Sequence, residues 1–230
     1  MFDILEIIAG VIAVILVFAP HEFAHAFVAY KNGDGTAKMM GRMTLNPLKH
    51  IDPMGFISCV LIGFGWANPV PINPSNFRKY KTGLFTTAIA GVVTNYIIAF
   101  LIYGIFACLI TFATASSEFG DYVITFIIMV ISKTFQFSLC SVVFNLLPFY
   151  PLDGFRIVEA FTREINPVNK FLRNYGNAIL IILIVESFLC NLLVNFGVLW
   201  AYDFNVLNYV MSFAVNVIGR PIIAFWSLIF

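Results

Sequence analysis

Charge is scarce in this 230-residue chain: Asp, Glu, Lys and Arg make up 11% of it, against about 25% in a typical soluble domain. So few charged side chains cannot cover the surface of a water-soluble domain without leaving large apolar patches. A basic excess is missing as well. Thirteen Lys and Arg against twelve Asp and Glu give a formal net charge of +1, which is too little to neutralise a phosphate backbone, and nucleic acid is not expected as a partner. Only four cysteines are present. They lie far apart, at positions 59, 108, 140 and 190, and imply neither a disulfide framework nor a cysteine-based zinc site. Histidine is rarer still, with three in the whole chain.

What is abundant is apolar: 60% of the residues are hydrophobic and the mean hydropathy is +0.92. A membrane-spanning helix needs about 20 mostly apolar residues. Residues 4–30, 84–113, 122–147 and 178–200 each provide them, and residues 206–230 do so with Gly219-Arg220-Pro221 interrupting. The chain therefore reads as an all-α polytopic membrane protein with five transmembrane helices, or six if the third stretch divides at Lys133. The first run has Asp3 and Glu6 at its flank, no Lys or Arg before Lys31 and no small-residue cleavage site, so it is kept as a span rather than a secretion signal. All 230 residues are taken as one membrane-embedded domain.

Positive charge accumulates on cytoplasmic loops. Lys31, Lys38, Arg42, Lys49, Arg78, Lys79 and Lys81 fall between the first two spans, and Arg156, Arg163, Lys170 and Arg173 follow the third. The connections at 116–121 and 201–205 hold none. Simple alternation then puts the N-terminus and those two connections outside. The long loop, residues 31–83, carries Asn46-Pro47, Asp52-Pro53, Asn68-Pro69, Pro71 and Asn73-Pro74, which favour turns or extended backbone. Its apolar run, residues 56–64, is too short to span and reads as a small β-hairpin or re-entrant element.

One constellation stands out. His21-Glu22-Phe23-Ala24-His25 lies in the first span. Residues four apart share a helix face, so both imidazoles can reach one ion while Glu22 stands beside it as a base. Chance would produce such a pattern in this composition roughly 0.001 times. Ionisable groups at membrane depth are costly and usually functional or paired. His21 precedes Lys31 by ten residues, about 15 Å of helix at 1.5 Å per residue, so the site falls within the hydrocarbon zone, nearer the cytoplasmic face. A catalytic zinc takes three protein ligands and keeps a position for water. His50 lies in the loop and reads more simply as loop structure. Asp153, in Asn145-Leu-Leu-Pro148-Phe-Tyr-Pro151-Leu-Asp153-Gly154, is the better third ligand, because two prolines and a glycine make its backbone non-helical.

These two motifs together resemble those of the site-2 proteases, intramembrane zinc metalloproteases marked by HExxH on one span and an NxxPxxPLDG-like segment on another. The likeness covers about residues 15–160, including Gly41-Arg-Met-Thr-Leu-Asn-Pro47 and Gly65-Trp-Ala-Asn-Pro-Val-Pro71, and is greatest to the compact bacterial branch. At Ala90-Gly91-Val92-Val93-Thr94-Asn95 the family commonly has proline after the glycine, and this chain has Val92; Asn95 can support the site by hydrogen bonding.

The resemblance implies one Zn²⁺ per chain held by His21, His25 and Asp153, with Glu22 as general base. It makes Asn145 a candidate oxyanion donor, and a helix-turn cap is the alternative for that residue. The substrate would be a transmembrane protein segment, hydrolysed in the membrane of a bacterial cell. An unwound substrate has to be held in extended form, and Gly63, Phe64 and Gly65 are candidates for a strand edge that holds it, against a loop that only packs on the bilayer. A membrane regulatory partner is expected, and the oligomeric state is left open. The rival reading is a catalytically silent membrane scaffold that binds helices without cutting them. Glu186, central in the fourth span, is expected to be protonated or paired in a structural role.

Overall fold

A computed structural model of the chain describes residues 4–55, 67–113, 117–162 and 166–230. Among the described residues it is all-α, with helices α1 (Ile4–Asn32), α2 (Thr36–Met39), α3 (Tyr80–Phe112), α4 (Glu118–Leu146), α5 (Asp153–Phe161), α6 (Pro167–Asn195) and α7 (Val206–Trp226). Five of them, α1, α3, α4, α6 and α7, are long and apolar enough to cross a membrane. The third stretch stays whole at Lys133, and α7 runs unbroken through Pro221. The expected fourth span begins earlier than hydropathy places it, at Pro167, because Asn166 caps the helix by accepting from Val168 N and Pro167 occupies the first turn. The same Asn-Pro pair starts short 3₁₀ turns at Pro47–Lys49 and Pro74–Asn76. At Asn46 and Asn73 the backbone is extended and a short turn follows, as these dipeptides lead one to expect, and the same pair also opens the long helix at Pro167.

The core is a three-helix cluster of α1, α3 and α4. On α1 the buried face is built largely of small residues: Ala9, Ala13, Val17, Ala26 and Ala29. Without a hydrophobic force between helices in lipid, such faces let backbones approach and gain dispersion contacts. The buried stripe of α3 runs Gly83, Leu84, Thr87, Ala88, Gly91, Asn95 and Ala99, at three- and four-residue spacing. Its large apolar side chains, including Val93, Ile97, Leu101 and Ile105, point outward and are exposed, as befits a helix whose solvent is lipid.

Direction of travel is where alternation fails. Ile222 of α7 packs with Ala99, the Trp226 indole N–H donates to Phe100 O, and Phe230 meets Phe112. Thus α7 advances in the same direction as α3. Simple alternation makes these two antiparallel and puts residues 201–205 beside residues 116–121. Instead Asn205 lies at the start of α7, about 30 Å of helix from the Phe112 end. Polar anchoring explains this. Glu186 Oε1 accepts from Val206 N at 3.2 Å and from Cys190 Sγ at 3.4 Å, and Asn205 reaches Ser187 O and Asn191 Oδ1 while capping Asn208 N. The open N–H groups at the start of α7 are satisfied by protein rather than water. Charge counting cannot detect this, since the connection has no Lys or Arg.

The loop after α1 is tied by one carboxylate. Asp34, fully buried, accepts from Thr36 N and Thr36 Oγ, from Asn76 Nδ2 at 2.9 Å and from Asn73 N at 2.7 Å. Further on, Asn68 N donates to His50 O at 2.7 Å, and Ile51 and Ala67 form an antiparallel bridge. The run at 56–64, and Gly63, Phe64 and Gly65 with it, lies outside the described residues. No strand beyond that bridge occurs among the described residues.

Two outcomes follow for measurement. Single cysteines at Ser117 and Leu228, in a background without the native four, should be labelled from the same side of the membrane and one at Ser75 from the other; simple alternation pairs Leu228 with Ser75. Burial raises the pKa of Asp34, but the hydrogen bonds from Thr36, Asn76 and Asn73 outweigh it and hold the carboxyl below its usual range. Its contribution to stability is therefore full above the unfolded pKa of about 3.9 and is lost as pH falls through the lower, folded value. Asp34→Asn should cost about 1–3 kcal/mol at neutral pH and remove that part of the acid sensitivity, read by thermal unfolding in detergent.

Candidate metal centre

α1 carries His21, Glu22 and His25 on its buried side, and the helix continues through Pro20 without a break. One turn apart, the two rings lie edge to face with centroids 4.6 Å apart, and their Nε2 atoms are separated by 3.0 Å. Asp153 is the first residue of α5. Residues 147–152 turn the chain there, with a cis peptide bond at Tyr150-Pro151. The start of α5 sits tight against the end of α4: a Cβ on Gly154 would fall 2.3 Å from Leu147 O. That approach carries Asp153 Oδ2 to 3.0 Å from His25 Nε2 and 3.4 Å from His21 Nε2.

Those three atoms fit a metal. A circle through points separated by 3.0, 3.0 and 3.4 Å has a radius of about 1.8 Å, slightly less than a zinc–nitrogen bond of about 2.0–2.1 Å. His21, His25 and Asp153 would therefore be able to hold one ion together, as the three protein ligands that a catalytic zinc takes. Donor chemistry agrees, since two imidazoles and a carboxylate are a common zinc set. Asp153 Oδ2 is buried and has no hydrogen-bond donor among the described residues. Apart from these three, no group of His, Cys, Asp and Glu able to share an ion occurs among the described residues.

The outer nitrogens of both rings are met by α3. His25 Nδ1 lies 2.7 Å from Thr87 O, and His21 Nδ1 lies 3.0 Å from the Asn95 side-chain amide. Asn95 also contacts Ser141 Oγ at 2.8 Å. The rings can reach α3 because Gly91 has no side chain: a Cβ there would lie 2.4 Å from His25 Nε2 and 2.5 Å from His21 Cε1. Glu22 stands beside the triangle and outside it, with Oε2 accepting from Val70 N at 2.8 Å.

Among the residues picked out by motif, the structure brings together His21, His25 and Asp153, with Glu22 adjacent. Asn145 is turned back along its own helix, where Nδ2 donates to Ser141 O at 3.0 Å and Ser141 Oγ at 3.1 Å. His50 is buried in the loop, with Nε2 bonded to Thr44 O. Thr87, Gly91, Ser141 and Val70 N are the additions that motif reasoning missed. For α3 a signal existed: Thr87, Gly91 and Asn95 recur every four residues, a small and polar stripe on an otherwise apolar helix. Val70 N is a backbone group, for which no side-chain pattern speaks.

Comparison with known proteins bears on the same residues. No family model and no solved structure matches the chain. A Bacillus subtilis protein named "Putative zinc metalloprotease YwhC" is 45% identical over 149 residues, which is 65% of this chain and 67% of that relative. Proteins of the same description named Rip2 are more distant and more widely aligned. The one from Mycolicibacterium smegmatis is 27% identical over 90% of this chain and 76% of its own length, and that from Mycobacterium tuberculosis H37Rv is 26% identical over 91% and 77%. With its paired motifs folded into one donor cluster and this degree of identity to YwhC, the chain belongs to the site-2 protease family of zinc metalloproteases.

Proposed function

We propose that the protein is an intramembrane zinc endopeptidase that cuts transmembrane segments of other membrane proteins. The observation that carries this reading is the triangle of His21, His25 and Asp153 inside a bundle of apolar helices, with the Glu22 carboxylate next to it and outside the donor set. In the same reading the membrane is that of a bacterial cell, the N-terminus lies outside, and the site is nearer the cytoplasmic face. His21 precedes the end of α1 by eleven residues, about 16 Å.

His21, His25 and Asp153 would hold the metal. Zinc bound there supplies a Lewis acid, which polarises the scissile carbonyl and lowers the pKa of water at the site to about 7. Glu22 does the proton work. Its Oε2 is fixed by Val70 N–H, which leaves Oε1 to take a proton from the attacking water and deliver it to the departing amine as the C–N bond breaks. Asn145 is assigned the role of donor to the carbonyl oxygen as charge develops, exchanging its bonds to Ser141 for that one. A small cavity of about 20 Å³ borders α1 one turn before Glu22, lined by Phe18, Ala19, Pro47, His50, Ile51 and Asp52. It has room for about one water molecule, which supports access of water to this side of α1. Gly63, Phe64 and Gly65 remain the proposed holding edge, and a regulatory membrane partner remains part of the reading.

Purified protein in detergent, given single-span substrates, tests this directly. Wild type should hold about one zinc per chain and lose cleavage when a chelator removes it. Glu22→Gln should retain the metal and lose cleavage by roughly 10²–10⁴-fold or more; full activity in that variant would refute the assignment. Gly91→Ala should keep its helical content yet bind zinc more weakly, because the added Cβ occupies the space of both rings.

A further inference from the structure

Behind the metal ligands lies a polar chain that crosses three helices. It runs from His21 Nδ1 on α1 to the Asn95 amide on α3, then to Ser141 Oγ on α4, and ends at Asn145 Nδ2 one turn further along α4. All of Asn95 is buried, with no exposed surface. As the hydrogen bonds stand, Asn95 Nδ2 makes both of its contacts, and Asn95 Oδ1 is buried with no partner among the described residues.

A histidine that binds a metal through Nε2 carries its proton on Nδ1, so it faces its neighbour as a donor. An NH₂ group is no partner for it, having donors only. Asparagine can present either end, because half a turn of the amide exchanges oxygen and nitrogen in nearly the same space. Either orientation leaves one end of this buried amide unpaired; only one gives His21 an acceptor. In that orientation Ser141 Oγ–H also donates to Oδ1 while its lone pair accepts from Asn145, so every contact in the chain has one donor and one acceptor. His25 shows the same logic in finished form, with Nδ1 directed at the backbone oxygen of Thr87.

We infer that Asn95 is a positioning residue which turns Oδ1 toward His21 Nδ1–H, fixing that ring as an Nε2 ligand and linking it through Ser141 to Asn145. This rests on the reading of the triangle as a zinc site. Zinc affinity of the full chain in detergent, measured by competition with a chromophoric chelator, separates the two ideas. It should fall roughly 10–100-fold in Asn95→Leu, the loss typical of removing an outer partner of a ligating histidine. In Asn95→Asp, which can only accept at that position, it should stay within about threefold of wild type. Aspartate matches asparagine in shape, so a role in packing alone would give the same order of affinities, and the histidine measurement below separates the two. Equal affinity in wild type and Asn95→Leu, or equal loss in both variants, overturns the inference. A second measurement needs no variant to fold. With ¹⁵N-labelled histidine and zinc, the wild-type His21 Nδ1 proton should be a hydrogen-bonded, slowly exchanging resonance, and rapid exchange there overturns the inference equally. Wild type that binds no zinc in the first titration overturns the underlying site reading, before any variant is compared.

Discussion

Two imidazoles and a carboxylate meeting among apolar helices is the constraint around which this protein is built. Buried polar groups without partners cost several kcal/mol each where no water can reach them. Every element near the triangle can be understood as meeting part of that cost. α3 supplies Thr87 O and the Asn95 amide to the outer nitrogens. The loop supplies Val70 N–H to Glu22. One metal ion answers the three inward-facing atoms at once: with both rings carrying their protons on Nδ1, two Nε2 lone pairs and a carboxylate oxygen are all acceptors and cannot satisfy one another.

The rest of the bundle follows from the need for close approach. Small residues on α1 and the stripe Gly83, Thr87, Gly91 and Asn95 on α3 bring the two backbones near enough for α3 to reach behind the histidines. The bulk lost from this interface is displaced to the lipid side, where Ile97, Leu101 and Ile105 stand exposed. Substituting larger side chains would improve neither face: inside they would collide with the rings, and outside lipid already solvates what is there. The tight seat of Gly154 on the α4 carbonyl oxygens serves the same end for α5, because Asp153 is the adjacent residue.

How far the sequence could be read depended on whether a feature lived in side-chain types or in space. HExxH and the distant Asp153 were legible because metal chemistry demands particular residues, and helical spacing places His21 beside His25. The five long helices were legible because bilayer thickness sets their length. Asn-Pro was half legible: the turns after Asn46 and Asn73 were plain, but at Asn166 the same acceptance from the N–H two residues on opens a long helix. The direction of α7 was not legible at all. It is decided by Glu186 meeting Val206 N and by Trp226 meeting Phe100 O, contacts between positions 20 and 126 residues apart to which hydropathy and charge counts are blind.

Glu22 shows how a buried carboxylate can be held through one oxygen by a single backbone donor. Pro69 and Pro71 have no N–H, so within Pro69-Val70-Pro71 the single amide donor is Val70 N, and it is spent on Glu22 Oε2. This bond fixes one carboxylate oxygen. In the proposed mechanism the second oxygen is the one that carries the proton. In that mechanism the loop takes part through its backbone, and its prolines matter less as breakers than as residues that leave only one hydrogen to give.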